Sequence, residues 1–183
     1  MNIETQITPN PETLKFIVGK EYIFQDSIEI TSEKEAEVFN FSKDFFQLNG
    51  VKSLFIGTDY ISVTKKKDIT WSQLKTKVLT FILDYISSNK VLIEKKEIKT
   101  DSGKEKKDQI SVNIEKVIDE KVRPAVARDG GDIIFENFNK GVVYLRLRGA
   151  CVGCPSSTAT LKQGIENLLM HYFPEVKEVR AVN

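Results

Sequence analysis

The sequence predicts an α+β fold, built as two small α+β domains joined by a charged linker. Three observations point that way. Short β-type runs and runs at helical spacing occur in both halves of the chain. The stretch at 94–108 (EKKEIKTDSGKEKKD) has 11 charged residues in 15, too polar to offset the entropy of ordering. A length of 183 residues fits one ordinary domain or two small ones. The reading therefore places domains at 1–93 and 109–183, with 94–108 as the linker.

In the first domain, Leu14 to Val18 and Ser27 to Thr31 are short strands. The segment from Glu33 to Leu48 has Phe41, Phe45 and Leu48 at helical spacing and is expected to be a helix. Val51 to Ile56 and Tyr60 to Thr64 alternate as strands and make a hairpin through Gly57-Thr58-Asp59. Thr70 caps a long helix to about Ser87, whose apolar face carries Trp71, Leu74, Val78, Phe81, Ile82 and Tyr85. This domain has no cysteine, histidine, phosphate loop or paired nucleophile and base, so it reads as a binding or positioning module.

The second domain opens with a helix from about Val112 to Ala127, with Ile114, Val117, Ile118 and Val122 on one face and a kink or restart at Pro124. Asp129-Gly130-Gly131-Asp132 is expected to be a turn. Ile133 to Phe138 and Val142 to Leu147 pair through Asn139-Lys140-Gly141. Val143, Leu145 and Leu147 share one face of the second strand, opposite Tyr144, Arg146 and Arg148. A helix from about Ser156 to Tyr172 turns Leu161, Ile165, Leu168 and Tyr172 inward, and a strand from Val176 to Val182 closes the unit.

Composition removes whole classes of function. With 27 Lys+Arg against 26 Asp+Glu, the chain has no basic excess for a nucleic-acid backbone or an anionic membrane. No apolar run approaches the ~20 residues of a membrane span, and the N-terminus lacks a targeting pattern, so a soluble, cytoplasmic bacterial protein is expected, with a trimmed mitochondrial matrix form as the alternative. One histidine leaves no His-based metal cluster, so any soft-metal chemistry falls to the two cysteines, Cys151 and Cys154.

Cys151-Val152-Gly153-Cys154-Pro155 lies between a strand and a helix, and Pro155 fits the helix's first turn. The helix N-terminus then faces the thiols and favours thiolate, the form that binds metal. Three readings are open: a structural pair, a redox dithiol of the thioredoxin kind, and a metal or Fe–S site. The dithiol reading is short of chain, since one helix and one strand after Cys154 cannot complete a thioredoxin fold. The metal reading is short of ligands, because Fe–S clusters and tetrahedral zinc take four and one chain supplies two. If no exogenous thiol completes it, the site then sits between two copies of the chain. Such a split, exposed site is easily opened, which suits transfer rather than storage.

The residues DGGD at 129–132, GACVGCPSS at 149–157 and TLKQGIE at 160–166 resemble the NifU C-terminal, or Nfu, domain. TPNPETLKF at 8–16, GVKSLFIG at 50–57 and Trp71 resemble the N-terminal domain of bacterial and mitochondrial Nfu proteins. The resemblance implies a non-enzymatic iron–sulfur cluster carrier. It would hold a [4Fe-4S] cluster, or in the alternative a [2Fe-2S] one, through Cys151 and Cys154 of each chain of a homodimer. The cluster would come from upstream assembly proteins and pass to apo Fe–S recipients. The extra cysteine-bearing assembly and ferredoxin-like domains of long nitrogen-fixation NifU proteins have no counterpart here, which points to late delivery. The alternatives are a dithiol oxidoreductase or a zinc-bridged structural dimer.

Other polar residues have simpler readings. Asp129 and Asp132 read as turn and helix-end residues, Arg146 and Arg148 as a solvent-facing strand edge, and His171 as a favourable charge at a helix C-terminus. Ser156, Ser157 and Thr158 read as helix caps, and Lys65 to Lys67 as a solvated charge run.

Overall fold

The computed structural model describes residues 3–23, 26–89, 92, 108–152 and 155–182; for Asn89 and for 155–157 it describes the backbone alone. Of the expected linker only Asp108 lies within the described residues, and Gly153 and Cys154 lie outside them. The chain divides into two compact units, Met1–Lys96 and Glu97–Asn183. Each mixes helices with one sheet, so the fold is α+β.

The first unit holds strands β1 (Glu4–Ile7), β2 (Thr13–Ile17), β3 (Ile28–Ile30), β4 (Val51–Ile56) and β5 (Tyr60–Lys65), in the antiparallel order β1-β2-β5-β4-β3. Register puts Phe16, Ile61 and Ile56 in one row and Leu14, Val63, Leu54 and Ile30 in the next, all buried. The expected hairpin is β4–β5. The edge strand β1 escapes sequence reading, since its residues show no apolar alternation and Ile7 is 89% exposed.

The expected single helix over Glu33 to Leu48 is instead two, α1 (Glu33–Ala36) and α2 (Asn40–Phe45). Ser32 caps α1 by accepting from Glu35 N–H at 3.3 Å, while the Glu35 carboxylate accepts from Thr31 N–H at 2.7 Å. Phe39 is extended, which breaks the helix. The buried Ser42 hydroxyl faces the carbonyl oxygens of Ala36 (2.6 Å) and Phe39 (2.9 Å) and satisfies acceptors at the break. Phe41 and Phe45 keep their helical spacing and join Phe81 and Tyr85 in a ring cluster with centroids 5.1–6.0 Å apart. The last two rings belong to α3 (Trp71–Asn89), whose Leu74, Val78, Ile82 and Ile86 form its buried stripe.

In the second unit, α4 (Gln109–Val117) begins at Asp108, whose carboxylate accepts from Ser111 N–H at 2.9 Å. A π turn (Ile118–Val122) joins it to α5 (Arg123–Arg128), with Pro124 in the first turn of α5 as expected of a restart. Buried Ile114, Ile118, Val122 and Val126 recur every four residues. On an α-helix each step of four overshoots a turn by about 40°, and the wider π turn takes up part of that drift.

The second sheet has the order β6-β7-β8, from β6 (Gly131–Asn139), β7 (Val142–Gly149) and β8 (Glu178–Val182). β6 and β7 are antiparallel, joined by a tight turn in which Lys140 (φ 49°) and Gly141 (φ 84°) both take positive φ. β8 returns parallel to β7 after α6 (Pro155–Tyr172). Ile165 and Leu169 of α6 are buried with Ile133, Val143, Leu145 and Val179 of the sheet in one core. Tyr172, expected inward, is 46% exposed; Phe173 takes the inward place one turn after Leu169 and accompanies the end of the core.

Candidate functional site

The site forms where β6 begins and β7 ends. Sequence reading treats 129–132 as a turn, but the strand starts at Gly131, so only Asp129 and Gly130 (φ 81°) remain in the turn. Gly131 pairs with Gly149, and Asp132 with Arg148. At Gly149 (φ 62°) the chain turns off the sheet toward α6. Ala150 N–H donates to Gly130 carbonyl at 3.2 Å, and Val152 N–H to Gly149 carbonyl at 3.1 Å. The Thr158 hydroxyl, expected as a cap, donates to the Cys151 carbonyl at 3.0 Å, tying the first turn of α6 to the loop.

Cys151 is only 7% exposed, packed in the core of the second unit. This differs from the exposed site expected of the motif. The hollow that takes the thiol exists because Gly131 has no side chain: a Cβ there would lie 2.5 Å from Cys151 Sγ and 2.7 Å from the Arg148 carbonyl oxygen. Val152, next in the loop, is 45% exposed. Cys154, the other expected ligand, lies outside the described residues, and α6 starts at the residue after it.

Asp132 is buried rather than a turn residue, and Arg123 answers it. Arg123 Nε lies 3.2 Å from Asp132 Oδ1, close enough for charge pairing but too poorly aligned to satisfy that N–H by a hydrogen bond. Its Nη2 donates to the Ile133 carbonyl at 3.0 Å and lies 3.1 Å from Asp119 Oδ1. The guanidinium thus pins the first residues of β6 to the helix that precedes them. Arg146 and Arg148 sit on the central strand, not on an edge as expected, and Arg146 pairs with Glu136 at 2.9 Å. His171 is exposed and packs edge-on to Tyr172, 16 residues along α6 from Pro155, roughly 24 Å at the helical rise and out of reach of the loop. Among the described residues no three His, Cys, Asp or Glu side chains gather at one point.

Sequence reasoning finds the cysteines and misses their seat. The available signal is the second glycine of DGGD: a turn needs one positive-φ residue at its end, whereas a glycine that opens a strand marks close approach by another group.

Residues 3–89 match the family model for the scaffold protein Nfu/NifU N terminal, and residues 114–180 match that for the NifU-like domain, one in each compact unit. The human protein named NFU1 iron-sulfur cluster scaffold homolog, mitochondrial, is 39% identical over 183 residues, covering 100% of this chain and 72% of the human one. The chain belongs to the Nfu family. Other Nfu relatives are NifU-like protein 4, mitochondrial, of Arabidopsis thaliana (39% identical, 98% of this chain and 65% of that one) and the mitochondrial NFU1 homolog of Drosophila willistoni (37%, 100% and 64%). This chain thus spans 64–72% of the length of these Nfu relatives. A solution NMR structure of a NifU-like protein from Saccharomyces cerevisiae overlaps 52% of this chain and 87% of that one, at a TM-score of 0.46 and 24% identity.

Proposed function

We propose that this chain carries an iron–sulfur cluster, held between two copies by Cys151 and Cys154 of each, and passes it to apo Fe–S proteins. The observation that carries the reading is the place of Cys151, on the loop between β7 and α6, in a chain of the Nfu family. A ligating sulfur needs one open side to hold iron, so the burial of the rest of the side chain is compatible with ligation. With two cysteines per chain, a second copy supplies the remaining two of four cluster ligands where no exogenous thiol does. The cluster is cargo, [4Fe-4S] or in the alternative [2Fe-2S]. Upstream assembly proteins supply it, and recipients with better ligands take it by exchange, without enzymatic chemistry.

In this reading residues 109–183 hold the cluster, 94–108 act as a tether, and 1–93 position recipients. The relatives' names favour the mitochondrial alternative over the bacterial cytoplasm as the place of action. No helix among the described residues is long and apolar enough to cross a membrane. The test is transfer: reconstituted chain is mixed with an apo [4Fe-4S] enzyme, and recovered activity is followed with and without a chelator. Transfer that resists the chelator and is lost with Cys154→Ser supports the reading, and undiminished transfer by that variant overturns it.

A further inference from the structure

We propose that Gly131 is a positioning residue for the cluster, its missing side chain being the seat that fixes the Cys151 thiol. The inference rests on the reading of Cys151 as a cluster ligand and adds to it the residue through which that ligand is placed. Two independent atoms crowd the position a Cβ would take, Cys151 Sγ at 2.5 Å and the Arg148 carbonyl oxygen at 2.7 Å. The carbonyl belongs to the β6–β7 ladder, where Gly131 faces Gly149, so the backbone side of the seat is rigid. A side chain at 131 therefore has to displace the thiol and also meets the Arg148 carbonyl oxygen, a contact that moving the sulfur does not relieve.

The seat is braced from both ends. Arg123 fixes β6 through Asp132 and the Ile133 carbonyl, and Ala150 N–H holds the loop to the Gly130 carbonyl. Sulfur is thereby presented from one place, and in the unloaded chain it is shielded from oxidants and alkylating agents, since reactivity follows exposure of the thiolate. Glycine at a strand's first residue lowers strand stability, and close approach of another group is the reason it is retained.

The test uses the full-length apo chain carrying Cys154→Ser, so that Cys151 is the one thiol, and measures its alkylation by iodoacetamide. In the folded parent the rate is expected to lie about tenfold or more below that in denaturant, and Gly131→Ala should recover most of the difference. Equal rates with and without Gly131→Ala, or a parent that reacts as fast folded as unfolded, overturn the seat. If Gly131→Ala unfolds the chain, its destabilisation is compared in Cys151 and Cys151→Ala backgrounds by denaturant midpoint: a smaller loss without the sulfur supports the seat, and an equal loss overturns it. With both cysteines present, Gly131→Ala should lose reconstituted cluster to a chelator about tenfold faster than the parent. Cys151→Ser serves as the control on the ligand reading. Full cluster in Cys151→Ser defeats that reading whatever Gly131→Ala does, whereas cluster lost there but held normally by Gly131→Ala, with unchanged alkylation, defeats the seat alone.

Discussion

At the scale of single residues, Cys151 and Arg123 do different work around the start of β6. Cys151→Ser nearly keeps the size of the side chain and removes the soft ligand, so iron and sulfide should fall to background after reconstitution, while the hydroxyl placed in the core lowers stability in denaturant unfolding by about 1–3 kcal/mol without unfolding the chain. Retained cluster would show that the ligand lies elsewhere. Arg123→Ala removes the hydrogen bond to Ile133 carbonyl and one charge partner of the buried Asp132, and should lower stability by about 1–2 kcal/mol in denaturant unfolding. The Arg123 side chain is 42% exposed, so solvent screening keeps the loss at that size. Sequence made the cysteines legible, because thiols at this spacing before a proline have few uses. It did not show Arg123 or the burial of Asp132, since their pairing depends on where β6 starts, and the double glycine reads equally well as a turn.

At the scale of elements, α6 carries Gly164 with nothing within 4 Å of the position its Cβ would take. Gly164→Ala should therefore raise stability by about 0.5–1 kcal/mol, read as a higher denaturant midpoint. A loss of stability would show that the exposed face is in contact with something. The start of α4 makes a prediction in pH. Hydrogen bonds from the Ser111 hydroxyl and backbone N–H hold the Asp108 carboxyl below its ordinary range. A lowered folded value means the cap contributes fully above the ordinary carboxylate range and fades as pH falls through the lowered value. The midpoint difference between the parent and Asp108→Ala should thus be present at neutral pH and close only as pH falls below the ordinary carboxylate range. Periodicity captured α3, α6 and the β4–β5 and β6–β7 hairpins, because each buries one face. It failed at Glu33–Leu48, where Phe41 and Phe45 keep helical spacing across a chain that Phe39 has already broken, and at β1, which has little to bury.

At the scale of the whole molecule, the two compact units each contain their own sheet and core, and the Nfu family models divide the chain the same way. A chain without residues 1–93 should bind cluster as the full chain does and deliver it with less discrimination among recipients. Equal delivery to every recipient by the shortened chain would remove the positioning role of the first unit. Sequence reading expects the division at the charge-dense stretch 94–108, of which only Asp108 is among the described residues, and nothing in composition distinguishes a binding module from an inert one.

The most direct test of the central claim is anaerobic reconstitution of the full-length chain, with iron, acid-labile sulfide and zinc counted per chain and native mass measured on the same sample. A cluster shared between two copies predicts a dimer with about two irons and two sulfides per chain, or about one of each for [2Fe-2S]. A full cluster on a monomer, zinc in place of iron, or a metal-free chain with an oxidisable dithiol would contradict it.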